Sequence, residues 1–207
     1  MSKSTKNQGF EGEEVPFVAG SVYGLRAFHV SGDGELLGCS FRIPWVDGEN
    51  EALCLANNAA FPERRPFWWS LETVYNTPPA RRAVAPRPIG KEHPLTGCEC
   101  GFWAYKTMQN TYRSTYHAAG IIQGYGRVIV GEKGYRVQRA RIVALHLPDN
   151  PTYSWPYGAD GREDFVARRT AAWASAVDSA RHIYTSSRIF DSYHGMVDAY
   201  REYLEEG

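Results

Sequence analysis

The chain has 207 residues, of which 43% are hydrophobic and 22% charged, and this composition is typical of a globular protein with one substantial core. Lysine plus arginine and aspartate plus glutamate number 23 each, so the formal net charge is zero. A zero net charge excludes a global field that attracts polyanions. A nucleic-acid contact would therefore depend on a local basic patch.

The first seventeen residues are polar and have almost nothing to bury, so 1–17 are predicted to be a disordered N-terminal lead. This lead has no apolar stretch typical of an export signal, and no later segment has the apolar length of a membrane span. We therefore expect a cytoplasmic protein. Under reducing conditions, clustered cysteines favour metal or redox chemistry over disulfides, with isolated buried thiols as the simpler alternative.

Residues 18–207 are predicted to form a single α+β domain that begins with an antiparallel β-meander. Strand-like runs at 22–30 and 36–45 flank a turn at 31–34 and predict a β-hairpin. A short third strand is expected at 52–55, after a second turn.

Residues 61–94 combine many of the prolines with several arginines, which predicts a long surface excursion without regular structure. Loops of this length are usually functional or mobile. The excursion is thus a candidate recognition surface, and simple disorder is the alternative.

A long β-hairpin is the strongest structural prediction. Its strands cover 121–130 and 135–147, and the glycines of the connecting turn at 131–134 suit positive φ angles. Apolar residues at helical spacing predict two helices within a C-terminal segment at 163–205, one at 163–184 and one at about 191–205. Asp191 or Ser192 would cap the second helix, and Tyr200 and Tyr203 belong to its apolar stripe. The meander and the hairpin are expected to pack with these two helices, which offer a homodimer contact.

The segment from His93 to Trp103 concentrates the chemistry of the chain. His93, Cys98 and Cys100 bring an imidazole and two thiols together, and zinc accepts such ligands when four of them converge. Cys54 is the first choice for the fourth ligand, followed by Cys39 and His117. A closed zinc site would be structural, whereas a reactive thiol with His93 as base would be catalytic. Small buried thiols are the third reading of this segment.

The predicted hairpin also carries a basic, aromatic group of side chains. Arginines can bind phosphates while tyrosines stack on bases, so this group could bind single-stranded nucleic acid. The alternative is a solvated face on which the arginines pair with Glu132, Glu163 or Asp164. The six candidate residues are Tyr125, Arg127, Tyr135, Arg136, Arg139 and Arg141. By strand parity, Arg139 and Arg141 are expected on the same face as Tyr135.

Four stretches follow one another in an order that resembles a family of actinobacterial and actinobacteriophage proteins, over roughly residues 20 to 147. They are His93-Pro94, Cys98-Glu99-Cys100-Gly101-Phe102-Trp103-Ala104, Gly124-Tyr125-Gly126-Arg127-Val128 and Gly134-Tyr135-Arg136. The family pattern has Trp at the position of Tyr125 and Ala-Glu at Val137-Gln138, so this chain carries Gln138 where the family pattern has an acid. The resemblance implies a phage or actinobacterial origin and no particular activity.

The common enzyme motifs are missing from the sequence: a Walker loop, a dinucleotide-binding glycine motif, a nucleophile elbow and a zinc-protease motif. The first hypothesis is a non-enzymatic accessory protein that binds a host protein or a nucleic acid in the host cytoplasm. In this hypothesis a zinc ion could stabilise the fold. The second is a zinc-dependent or thiol-dependent enzyme that acts on a nucleotide. The third is a protein that sequesters a small nucleotide ligand.

Overall fold

A computed structural model describes residues 13–15, 20–38, 43–52, 100–107, 118–149 and 162–205. These residues form an α+β fold built on a largely antiparallel sheet, which confirms the predicted class. The strands are β1 Glu13–Val15, β2 Val22–Val30, β3 Leu36–Gly38, β4 Glu49–Glu51, β5 Phe102–Tyr105, β6 Ala118–Gly131, β7 Gly134–His146 and β8 Arg188–Phe190. The helices are α1 Arg162–Ile183, α2 Tyr193–Ala199 and α3 Arg201–Glu205.

The predicted long hairpin is confirmed as β6 and β7, which pair from Ala119 opposite His146 down to Gly131 opposite Gly134. The proposed reason for the turn glycines is wrong, because neither Gly131 nor Gly134 has a positive φ. At Gly134 the requirement is space: a Cβ there would lie 2.0 Å from the carbonyl oxygen of Ala104 on β5. The glycine therefore permits β5 to lie against the start of β7.

The strands close a circuit of pairings. β6 pairs with β2 along 22–28 and with β7, while β7 pairs with β5 along 134–137. The circuit closes where Leu25 of β2 lies opposite Tyr105 of β5. β1 pairs with β6 along 128–130, beyond the part of β6 that pairs with β2. The residues of β1 belong to the segment for which the sequence predicts disorder. β8 joins β7 in parallel.

The predicted meander differs from the structure beyond its first hairpin. β2 and β3 do pair, with Val30 opposite Leu36. The expected strand at 36–45 is not continuous, because Pro44 lies antiparallel to Leu37 and the chain has therefore reversed direction. The next strand, β4, pairs with β7 instead of extending the meander. Of the third strand expected at 52–55, only Ala52 lies within the described residues.

Apolar residues on both faces of the sheet are covered, and this explains why β6 is nearly continuously buried. The larger core lies on the α1 side, where Phe28 and Ile122 pack with Trp173 and Tyr184. The smaller core lies on the opposite face and includes Ile121. Its members from the strands and the two short helices are Leu25, Ala119, Ile121, Ala144, Met196 and Leu204.

One charged side chain enters the larger core from β2. The guanidinium of Arg26 lies 4.9 Å from the ring centroid of Trp45 and 5.8 Å from that of Phe102. Its Nη1 donates a hydrogen bond of 2.6 Å to the carbonyl oxygen of Trp103. The aromatic rings and the carbonyl compensate part of the cost of removing this charge from water. Arg26 therefore ties β2 to β5 beside their single residue pair.

The end of α1 is fixed to the first hairpin by hydrogen bonds. The Tyr184 hydroxyl accepts from the Leu36 amide at 2.8 Å and donates to the Trp45 carbonyl at 2.7 Å. In the next turn, the Asp47 carboxylate accepts from the Ser186 amide at 3.1 Å. These bonds join parts of the chain that are far apart in sequence, and the Ser186 bond spans 139 residues.

The two C-terminal helices predicted by spacing are present, but the second is interrupted. α1 agrees with the prediction within a residue, and Ser192 caps α2 by accepting from the Gly195 amide at 3.0 Å. The chain leaves helical geometry at Tyr200, so the expected helix at 191–205 is two short helices. Among the described residues, no helix is long and apolar enough to cross a membrane.

Two buried tyrosines allow a matched test of the hydrogen bonds at Tyr184. Tyr184→Phe leaves a buried amide and carbonyl without their partner, so we expect it to destabilise the fold by about 1–3 kcal/mol. Tyr135 is equally buried, and its hydroxyl has no hydrogen-bond partner among the described residues, so Tyr135→Phe should be neutral or stabilising. Urea unfolding of both variants measures the difference. Equal losses would contradict the assignment.

The Tyr184 variant should also change how stability depends on alkaline pH. Burial raises the pKa of Tyr184 from 10.0 to about 12, against the lowering effect of the Leu36 hydrogen bond. The unfolded chain therefore binds fewer protons than the folded chain between these values, so stability falls as the pH rises through this window. The full shift corresponds to at most about 3 kcal/mol. The stability difference between wild type and Tyr184→Phe should shrink from about pH 9 to about pH 11.5, and a constant difference would refute the cause.

Candidate functional site

A bend in the β6–β7 hairpin determines which side chains face solvent. The register shifts between the Tyr125–Arg139 pair and the Val128–Val137 pair, and Gly126 has a φ of 80° there. A Cβ on Gly126 would lie 2.8 Å from Oε1 of Gln138, which fills the bend. β7 therefore does not alternate regularly. Tyr135 and Val137 enter the larger core together with Ala140 and Ile142, whereas Arg139 and Arg141 are exposed.

The bend corrects the prediction from strand parity, which placed Arg139 and Arg141 on the same face as Tyr135. Tyr135 is 0% exposed, and its ring lies 5.4 Å from Nζ of Lys106. Arg136 is 4% exposed and its guanidinium lies 5.7 Å from the ring of Trp103. These two members of the proposed binding group are parts of the core. They do not meet the solvent with the others.

The next three members of the group lie at the bend or next to it, and two of them share one acidic partner. Arg139 pairs with Glu49 of β4 at 3.7 Å between Nη1 and Oε1. Partial burial and a hydrogen bond with Glu49 raise the pKa of Tyr125 to about 12, against the opposing charges of Arg139 and Arg141. Arg127 is half-buried, and its amide donates to Oε1 of Gln138 at 3.3 Å. Glu49 thus neutralises the charge of Arg139 beside the bend.

The sixth member, Arg141, lines an open groove of about 390 Å³ on the sheet face that carries α2 and α3. Three tyrosines line it together: ring centroids are 4.9 Å apart for Tyr23 and Tyr203, and 6.0 Å apart for Tyr200 and Tyr203. Arg188 of β8 completes the polar lining, and Val143 contributes to the floor. We call this surface the tyrosine–arginine groove.

The two arginines of the groove differ from those beside it. Arg139 pairs with Glu49, and Arg201 of α3 pairs with Asp198. Within the part of the chain that the structure describes, neither Arg141 nor Arg188 has a carboxylate at ion-pair distance. Arg141 donates from Nε to Oε1 of Gln123 at 2.6 Å, which fixes the base of its planar guanidinium. Among the described side chains, no carboxylate therefore competes with an anion for these two positive charges.

Tyr200 holds the wall of the groove to the sheet. Its hydroxyl donates to the carbonyl oxygen of Val143 at 3.3 Å. Val143 lies at a further register shift of the hairpin, between the pairs of Ile121 and Ile122. Burial raises the pKa of Tyr200, and the nearby Arg188 charge opposes this effect. Tyr200 is thus a fixed and neutral side chain at physiological pH, whereas Tyr203 beside it is 50% exposed.

Sequence reasoning identified Arg141 but missed the other groove residues. Tyr200 and Tyr203 were expected only as the apolar stripe of a longer helix, and their three-residue spacing is equally compatible with a binding surface. Arg188 lies on β8, a three-residue strand without a clear sequence signal. Its position beside Ala144 depends on where the long helix α1 ends, because β8 follows this helix in the chain.

Of the predicted zinc ligands, only Cys100 lies within the described residues; Cys54, His93 and Cys98 lie outside them, as do Cys39 and His117. Cys100 is 6% exposed, packs with Ala52 and Phe102, and is disulfide-bonded. No group of three or more potential metal ligands occurs among the described residues. A disulfide sulfur is not a thiolate, so the disulfide and a zinc site at Cys100 are alternative states.

The excursion at 61–94 likewise lies outside the described residues, so its predicted role as a recognition surface stays a prediction. The chain matches no protein-family model, no curated protein and no solved structure. The function must therefore be argued from the site itself.

The state of Cys100 has a direct chemical test. With one disulfide, at most two of the four cysteines can be free, since four minus two leaves two. We expect protein purified without reductant to show no more than two thiols on denaturation and no zinc in metal analysis. Four thiols with one equivalent of zinc, lost in Cys98→Ser, would instead support the predicted zinc site.

Proposed function

We propose that this chain is a non-enzymatic binding protein whose tyrosine–arginine groove takes single-stranded nucleic acid. The observation that carries the proposal is the pair of guanidiniums, Arg141 and Arg188, that have no carboxylate partner among the described residues and lie beside three clustered tyrosines. Guanidiniums bind phosphates through their planar set of donors, and aromatic side chains stack on bases of any sequence. Both halves of a nucleotide thus find a chemical counterpart in one groove.

The openness of the groove favours a strand over an enclosed small nucleotide. Sites that sequester small ligands bury most of the ligand surface in a concave pocket. Here Tyr203 is 50% exposed and the groove opens to solvent, so a bound chain can enter and leave along it. The absence of a net charge on the protein also fits a local contact with a few phosphates better than wrapping of a long duplex.

The resemblance to actinobacterial and actinobacteriophage proteins adds a biological setting to the proposal. An accessory protein of that origin would meet single-stranded nucleic acid in the host cytoplasm. A host protein, the other partner suggested by the sequence, is an outcome that the binding experiment below separates from nucleic acid.

The double variant Arg141→Ala with Arg188→Ala tests the proposal. Each phosphate contact to a single strand contributes about 0.7 to the slope of log affinity against log salt. We therefore expect the variant to bind an oligothymidine more weakly and to lower that slope by about 1.4, as measured by fluorescence anisotropy from about 50 mM salt upwards.

A charge-matched control isolates the groove from general electrostatics. Arg181 is exposed at the end of α1, whose buried residues pack on the opposite face of the sheet. Arg181→Ala removes the same charge as a single groove variant and should leave binding and salt slope unchanged. If wild-type protein does not bind the oligonucleotide at low salt, or if Arg181→Ala weakens it as much as Arg141→Ala, the proposal fails.

A further inference from the structure

We infer that Tyr203 is the residue on which one nucleobase stacks, with the adjoining phosphate held by Arg141 and Arg188. The inference rests on the proposed function and assigns a separate role to each side of the groove. The arginines supply affinity for any phosphate chain. Tyr203 adds affinity for a strand that carries bases.

Tyr203 is the one large aromatic of the cluster that is classed as exposed among the described residues, at 50%. Tyr23 and Tyr200 are half-buried. Tyr200 in addition uses its hydroxyl to hold the Val143 carbonyl. Of the three rings, Tyr203 therefore offers an incoming base the largest solvent-exposed fraction.

The ring of Tyr203 is also held in place before any ligand binds. The next residue, Leu204, is 7% exposed and belongs to the smaller core, so α3 is anchored to the sheet at this point. Tyr23 supports the Tyr203 ring with their ring planes tilted by 38°. A ring supported on one side loses little conformational freedom on binding, which strengthens stacking on its open side.

The size and charge of the groove limit what can stack there. A volume of about 390 Å³ lies at the low end for ligand sites, which fits one or two nucleotide units. The two guanidiniums are part of the same lining as Tyr203, so a phosphate bound to them places the attached base in the same groove. A neutral aromatic ligand would leave both charges unused.

The test compares two strands of about eight units, oligothymidine and an abasic phosphodiester of equal length. Wild-type protein should prefer the strand with bases by roughly five- to 100-fold, the range of one stacked base. Tyr203→Leu should abolish this preference while it retains the affinity for the abasic strand. Tyr203→Phe, which keeps the ring, should retain the preference. Circular dichroism checks that each variant is folded.

The outcomes separate this inference from the proposed function. If Tyr203→Leu keeps the preference for bases while the double arginine variant loses binding to both strands, the inference is overturned and the proposed function stands. If wild-type protein binds neither strand at low salt, both fail. Loss of abasic-strand binding in a folded Tyr203→Leu variant would also overturn the inference, because Tyr203 would then act on the phosphates.

Discussion

The bent hairpin of β6 and β7 is the constraint on which the described structure depends. Each other described strand except β3 pairs directly with β6 or β7. The register shift at Gly126 moves the inward and outward alternation of the β7 side chains by one residue, and this determines which of them are buried. Without the shift, Arg139 and Arg141 would point into the larger core in place of Ala140 and Ile142. The exposure of Arg139 and Arg141 therefore depends on one irregularity of the hairpin.

Burial on both faces of the hairpin explains where a ligand site can exist. α1 covers one face along its buried residues, whereas in the described part of the chain the helices that pack on the other face are the short α2 and α3. These helices bury Met196 and Leu204 and leave the neighbouring strip of the sheet open. The tyrosine–arginine groove is that strip. Its lining comes from five elements, and each of them is held by its own contacts to the core.

The sequence was sufficient for the long hairpin, the first hairpin and α1, because each depends on a local pattern of apolar residues and turns. It was insufficient for the bend, since Gly126 and Gln138 give no periodic signal and their effect depends on the opposite strand. The parity argument therefore placed Tyr135 beside Arg139 although the structure separates them. The groove was missed for a related reason: Tyr23 and Tyr203 meet only after the whole fold has formed.

The cysteine segment and the groove lie next to different halves of β7. Cys100 lies two residues before the start of β5, which pairs with β7 along 134–137, and it packs with Ala52 directly after β4. The groove lies against the other half, where Arg141 and Val143 line it. A covalent or metal link at Cys100 would therefore act beside β4, the edge strand that carries Glu49. Glu49 pairs with Arg139, so its carboxylate is used within the fold, whereas Arg141 lines the groove.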